Sequence, residues 1–430
     1  MADTPGTRTT LTDLLHEYYS DQVYKQIPTR NLFMKQLETT IPTLAHGGKQ
    51  FNIHLRYNYA GGTGTLAEGD SLPQATATNI DLSQVGFAYH YFKISLSGQA
   101  IITTQGGSKF AVVEALSEEI DTKAQAFAQS LNRQSCGDGL ARLCQADGDD
   151  DGGGNVTVDN ASGWTGYSNS DINGARHLSV NQTIQFRDSS GTAHDAGLLI
   201  SGITPGAGPS TSAILALTGT STSVADGDYA YIAASTTAEN DNYGHEMPGI
   251  KSLIDDSTIN TTTQGVNSDT YPEWRSQVGY GSTPGTAEAL TSLRMNALAT
   301  DIEVIAQGKT GFMATSPDVW NTYANLEDQN NTIMNAAVFD NAWPTLNFNG
   351  INVFRDPYLA DEIYYVDPST IAFYQPGSPG WIDFGGGSRN QTLDKDQMFA
   401  TYMHYLTLGI SNRAKNGKLV DITTVTATLL

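Results

Sequence analysis

The sequence predicts an α+β chain carrying an all-β insertion, on three observations. Residues 49–97 alternate apolar and polar side chains on either side of a glycine- and threonine-rich excursion, the pattern of a long two-stranded ribbon. Gly106 to Gly137 hold one continuous helical stripe. Residues 145–245 read as short strands separated by turns, and helix and strand patterns mix again after Pro248.

The N-terminal stretch, 1–48, reads as an arm. Thr10 or Thr12 can cap a helix bearing Leu11, Leu14, Leu15, Tyr18 and Tyr19, and Pro28 and Pro42 interrupt the remainder of the arm. Residues 1–56 hold six basic and five acidic side chains, in a chain with 23 basic and 45 acidic residues. The arm therefore escapes the acidity of the rest and suits contact with acidic neighbours.

In the ribbon, Phe51, Ile53, Leu55, Tyr57 and Tyr59 alternate with Asn52, His54, Arg56 and Asn58. Alternation resumes at Ile80, Leu82, Phe87 and Tyr89 and continues through Phe92–Gly98. An isolated hairpin is marginal in water, so such a ribbon makes physical sense lying on another subunit. The rod comes next. Phe110, Val113, Leu116, Ile120, Ala124, Phe127 and Leu131 share one face, with Ser108 as cap and Gly137 as a left-handed stop. Glu119 and Lys123 form an i,i+4 pair. Glu114, Glu118 and Asp121 share another face, where solvent or a cationic partner such as Lys25, Arg30 or Lys35 could offset their repulsion.

The segment 145–245 has twelve acidic and two basic residues. Strands are expected at Gln182–Arg187, Gly197–Ser201, Ala213–Thr218 and Asp228–Ala233, with turns at Ser190-Gly191 and Asp226-Gly227, in a small barrel or sandwich. Beyond it, Gly249–Ile254 reads as a short buried segment. Thr286–Gln307 reads as a helix with Leu290, Leu293, Ala297 and Leu298 on its inner face. Ser316-Pro317-Asp318 starts another helix. Leu346–Phe354 is strand broken by an Asn349-Gly350 turn, and Ile363–Val366 is strand. Phe384–Asn390 is a loop expected to be mobile. Tyr402–Ile410 and Lys418–Thr423 are expected to form a terminal hairpin about Asn416-Gly417.

No chemical motif completes itself. Asp147-Gly148-Asp149-Asp150-Asp151-Gly152 matches the first half of a calcium loop, but its twelfth position is Val158 rather than a bidentate Glu. Gly62-Thr63-Gly64-Thr65-Leu66-Ala67 has dinucleotide-fingerprint spacing, yet it tips a ribbon instead of opening a helix. The eight histidines, at 16, 46, 54, 90, 177, 194, 245 and 404, show no metal-ligand spacing. No catalytic residue, cofactor site or metal site is assigned. Cys136 and Cys144 are expected as reduced thiols. No apolar run approaches 18 residues and the start lacks an apolar leader, so no membrane span and no secretory signal are expected. A formal charge of −22 repels free nucleic acid but suits the lining of a container for it.

The order of these elements carries a resemblance. The arm, Leu66-Ala67-Glu68-Gly69 and Leu72-Pro73, Lys93-Ile94-Ser95 and the long helix resemble the major capsid proteins of tailed double-stranded DNA bacteriophages, the HK97-like fold. Gly350-Ile351-Asn352-Val353, Asp356-Pro357 and Ser411-Asn412-Arg413 are similar to that family's later segments. The resemblance implies an arm at 1–48, an extended E-loop at 49–97, and a peripheral domain with its spine helix at 98–144. It further implies an inserted domain at 145–245, an axial domain at 246–395 and a return to the peripheral domain at 396–430. It implies no enzyme, no cofactor and no membrane. The expected function is self-assembly as hexamers and pentamers into an icosahedral virion shell around DNA, formed in the host cytoplasm. Expected partners are the portal and scaffold or cement (decoration) proteins. An encapsulin-like compartment is the alternative on the same fold. A secreted Thr/Ser/Gly-rich adhesin or carbohydrate-binding β protein is the alternative of another class. Some relatives weld their subunits through an E-loop lysine, but no lysine lies between Lys49 and Lys93 here.

Overall fold

The computed structural model describes residues 32–38, 50–56, 63–71, 73–74, 80–97, 99, 115–148, 154–163, 174–205, 212–218, 223–233, 241–329, 337–338, 344–382, 390–391 and 397–424. The arm up to residue 31, the expected cap at Ser108, the loop 383–389 and the calcium-like residues 149–153 lie outside the described residues. Two compact units divide the chain. One gathers Tyr91–Gln129 with Gly380–Met403; the other gathers Asn31–His90, Ser130–Pro379 and His404–Leu430.

The first unit is built on aromatic rings. Phe92, Phe127, Trp381 and Tyr402 form a cluster with ring centroids 5.0–6.1 Å apart, several of them edge to face. Phe127, the expected core residue of the rod, is half-buried in this cluster. The helix itself, α2 (Ala115–Cys136; α1 is Leu32–Glu38), ends where the sequence places its end. Glu119 and Lys123 make the expected pair, at 4.0 Å. The stop differs: Gly139, not Gly137, takes the left-handed conformation, at φ 82°. The Gly137 amide instead tightens the last turn onto the Gln134 carbonyl, at 3.1 Å.

The second unit holds the ribbon, a barrel and a seven-stranded sheet. The ribbon pairs β1 (Gln50–Leu55) with β2 (Asp81–Gly86), antiparallel, with Phe51 opposite Val85. The continuation β3 (Ala88–Ser97) does not extend the ribbon; it pairs with the long strand Gln397–Ile410.

Residues between Cys144 and Ile232 form a closed antiparallel barrel. Its order is Cys144–Ala146, Asn155–Asp159, Ala213–Thr218, Ala193–Pro205, Thr183–Arg187 and Tyr229–Ile232. Alternate residues point inward, as the pleat dictates, so Val156, Val158, Ile184, Phe186, Ile200 and Leu215 fill it. A register shift between Ile200 and Gly202 bends the longest strand around the wall. Gly191 and Gly227, both at φ 88°, make the expected turns.

The central sheet runs in the order Gln277–Gly279, Gly417–Leu419, Ile363–Val366, Phe312–Thr315, Ile351–Arg355, Pro344–Phe348, Ala337–Val338. Its first and second strands, and its fourth and fifth, are parallel. Asn349 and Gly350, at φ 49° and 81°, close the expected hairpin. Two helices pack on one apolar layer: α3 (Ser292–Ala306) and α4 (Pro317–Gln329). The Thr291 side chain accepts the Arg294 amide at the start of α3, and the Ser316 hydroxyl accepts the Val319 amide at the start of α4.

Two expectations are corrected here. The inner face of α3 is Met295, Leu298 and Ile302, and Leu293 and Ala297 face outward. The terminal hairpin does not form, because Gly417–Leu419 joins the central sheet instead of Gln397–Ile410. The turn between them is a folded, buried knot. The Asn416 amide donates to Thr370 Oγ1 (2.8 Å) and to the Asn412 carbonyl (2.9 Å), and accepts from the Asp367 amide (2.8 Å).

Candidate functional site

Several charged residues of the second unit are buried on partners within it. Arg413 is fully buried. Its Nε donates to the Leu253 carbonyl (2.8 Å), one terminal nitrogen to Ser268 Oγ (2.8 Å), and the other to the Asp255 carbonyl (2.7 Å). Burial pulls this guanidinium down to about 10, with Asp255 and Asp256 opposing. Beside it, Lys418 pairs with Asp255 at 2.9 Å and Lys251 with Glu362 at 2.6 Å. Burial favours the neutral form of Glu362, but Lys251, Lys418 and the Tyr364 hydroxyl hold its carboxyl down to about 2. Asp356 receives the Phe33 amide at the start of α1 (3.2 Å), the Tyr358 amide (3.0 Å) and the Asn132 side chain (3.3 Å). Burial pushes its carboxyl up. Every one of these groups is turned inward on a partner, an arrangement for rigidity.

Among the described residues, His90, His177, Cys136 and Cys144 are buried in settings that suppress their charged forms. His90 is buried against the Leu406 carbonyl (3.2 Å), and burial lowers it to about 4. His177 stacks on Tyr358 and sits 3.1 Å from Ser162 Oγ, held neutral by burial and by Arg133 and Arg176. Cys136 and Cys144 are free, buried thiols whose ionisation burial suppresses. Among the described residues no group of three His, Cys, Asp or Glu side chains could hold a metal ion, and no helix is long and apolar enough to cross a membrane. Val158, at the twelfth position of the calcium-like loop, is a buried barrel residue. Residues 63–70 of the glycine-rich spacing form an exposed loop without helix.

Asp147, Asp159 and Asp226 crowd one end of the barrel. Burial, then Asp147 and Asp226, push the Asp159 carboxyl up to about 6. A folded-state pKa above the unfolded value means the fold favours the proton. The contribution is therefore fully present below about pH 4 and is lost as pH rises through 6. Asp159→Asn is expected to raise the melting temperature at pH 7.5 and to leave it unchanged at pH 4, read by calorimetry at the two pH values.

Some large apolar side chains also face outward. On the ribbon, Leu66 is 45% exposed, Ile80 66% and Leu82 41%. On α3, Leu293 is 79% exposed and Val304 74%, eleven residues apart and so on one face three turns along, beside Ile305 at 63%. The surface thus offers contacts to other protein, and sequence periodicity could not separate this outer stripe of α3 from the inner one.

No family model matches the chain, and no curated protein matches it. Among solved structures it is similar to the capsid asymmetric unit of cyanophage A-1(L). There the TM-score is 0.59 at 13% identity, covering 97% of this chain and 99% of that one. It is similar as well to the capsid of a native GTA particle, with TM-score 0.50 at 8% identity, over 98% and 100%. The likeness runs over nearly the whole length of both chains, so this chain has the α+β, HK97-like fold of phage capsid proteins.

Proposed function

We propose that this protein is the major capsid protein of a tailed, double-stranded DNA phage. Its work is self-association into the virion shell. The observation that carries the reading is the likeness over nearly the full length to chains that form capsids; exposed apolar side chains on the ribbon and α3 offer it contact surface. Hexamers and pentamers closing an icosahedral shell, assembly in the host cytoplasm, and partnership with a portal and with scaffold or cement proteins belong to the same reading. A shell built of chains at −22 would repel the packed DNA from its wall and leave it mobile. The chain is read as structural rather than catalytic.

Sedimentation tests this. Purified protein is expected to sediment as particles of several megadaltons; a stable 46.0 kDa monomer at every concentration would count against it. The shell is expected to be noncovalent. The ribbon between Lys49 and Lys93 lacks a lysine, and Lys93 Nζ already lies over the Phe399 ring at 4.5 Å. Boiled in detergent, the particles are expected to run as one band at or slightly below 46.0 kDa. A reductant-resistant ladder would contradict this.

A further inference from the structure

An arm that reaches onto neighbouring copies has to leave its own subunit within a narrow range of angles. The root of the ribbon is where that angle is set, and three contacts seat it. Phe51 of β1 lies on Tyr374, ring centroids 4.8 Å apart. Val85 of β2 meets the long strand at Gly409, where a Cβ would stand 3.1 Å from Val85 Cγ1 and 2.7 Å from the Tyr374 ring. Only glycine lets the two approach this closely.

The third contact is the tip of a small hairpin, Thr262–Thr263 with Val266–Asn267. Its central residues, Gln264 and Gly265, stand at φ 54° and 80°, as a type I′ turn requires. The Gln264 carbonyl accepts the Gln84 amide of β2 at 2.7 Å. The Gln264 side chain reaches the other way. With the amide turned as its neighbours require, its nitrogen donates to the Ile410 carbonyl and to Ser83 Oγ, each at 2.8 Å, and its oxygen accepts the Ile410 amide at 2.8 Å. Ser83 and Ile410 are fully buried. One residue thus bonds the ribbon through its backbone and side chain, and the long strand through both ends of one amide.

We infer that Gln264 is the positioning residue of the ribbon: its amide fixes the angle at which the ribbon leaves the subunit, and so the geometry in which copies meet. The inference rests on the reading of the ribbon as an arm onto a neighbour. The contact requires an amide, since it needs a donor and an acceptor side by side. Gln264→Glu sets a second carboxylate oxygen against the Ile410 carbonyl, and Gln264→Leu fills the space without bonding. Both keep the backbone bond from Gln84, so the hairpin stays in place.

The test measures the angle directly. Spin labels on Thr65→Cys in the ribbon and Thr270→Cys at the exposed side of the same unit report one distance in the dilute, unassembled full chain. Cys136 and Cys144 are buried and stay unlabelled. Gln264→Leu and Gln264→Glu are each expected to widen the distance distribution at least twofold and to cut the yield of uniform shells at least tenfold. Thr261→Ala, beside the hairpin, is expected to change neither. An unchanged distribution or an unchanged shell yield in Gln264→Leu overturns the inference; if that variant fails to fold, Gln264→Glu decides in the same way. Should the wild-type chain form no particles, the reading of the ribbon as an assembly arm fails. The distance widths would still decide whether Gln264 sets the angle.

Discussion

Arg413→Ala is expected to destabilise the chain by roughly 3–5 kcal/mol, the scale of a broken buried charge network. The substitution strands the Leu253 carbonyl and the Ser268 hydroxyl, each bonded to Arg413 at 2.8 Å, and leaves the Asp255 carbonyl with the Ser276 amide alone. Each stranded buried acceptor costs about 1–3 kcal/mol, and the cavity adds to it. Native proteins are stable by only about 5–15 kcal/mol, so little would remain. The denaturant midpoint should fall sharply, and much of the protein should be insoluble. Arg413→Lys should fall between, because one ammonium cannot span three acceptors in a fork. Arg275→Ala is the comparison. That guanidinium is half-exposed, pairs with Asp269 and donates to the Ser268 carbonyl (3.0 Å), and its loss should cost only about 1–2 kcal/mol. A wild-type midpoint in Arg413→Ala would show that the buried network does not hold the central sheet.

The double substitution Leu66→Asp with Ile80→Asp is expected to act in the opposite way, sparing the fold and abolishing assembly. Both side chains are already largely exposed on the ribbon, so the monomer loses no core. Burying each against a neighbour is worth on the order of 1.5 kcal/mol, and a buried, unpaired carboxylate costs more than that. A loss of about 3 kcal/mol per contact is already more than a hundredfold in affinity. Contacts that repeat around a closed shell reinforce one another, so the loss compounds. The variant should keep the wild-type melting temperature within a degree or two and sediment only as small species. Normal particles from it would remove the ribbon from the assembly account.

Local chemistry made some of this legible in the sequence. Ala213–Thr218 and Ile363–Val366 were readable as strands, and Ser316-Pro317-Asp318 as a helix start, because each carries its signal within a few residues. The barrel was legible as a β-rich stretch for the same reason. Pairings across the chain were not. Nothing near Ala88–Ser97 says that its partner lies some 300 residues later, and nothing in Asn416-Gly417 distinguishes a hairpin turn from a buried knot. On α3 two apolar stripes compete, Met295–Leu298–Ile302 and Leu293–Ala297–Val304, and periodicity fits both. The strand register, not the helix, decides which one is buried. Arg413 is the clearest case: a charged residue reads as surface until the three acceptors from distant segments are brought around it.

Image reconstruction of particles assembled from the purified full chain tests the central claim most directly. The account predicts closed icosahedral shells of uniform size. In each, every subunit should show this fold, with Leu66 and Ile80 of one ribbon buried against another copy, and particles from the natural source should be filled with DNA. Uniform shells empty of DNA from that source would favour an encapsulin-like compartment. Monomers, open aggregates, or shells whose ribbons touch no neighbour would contradict the account.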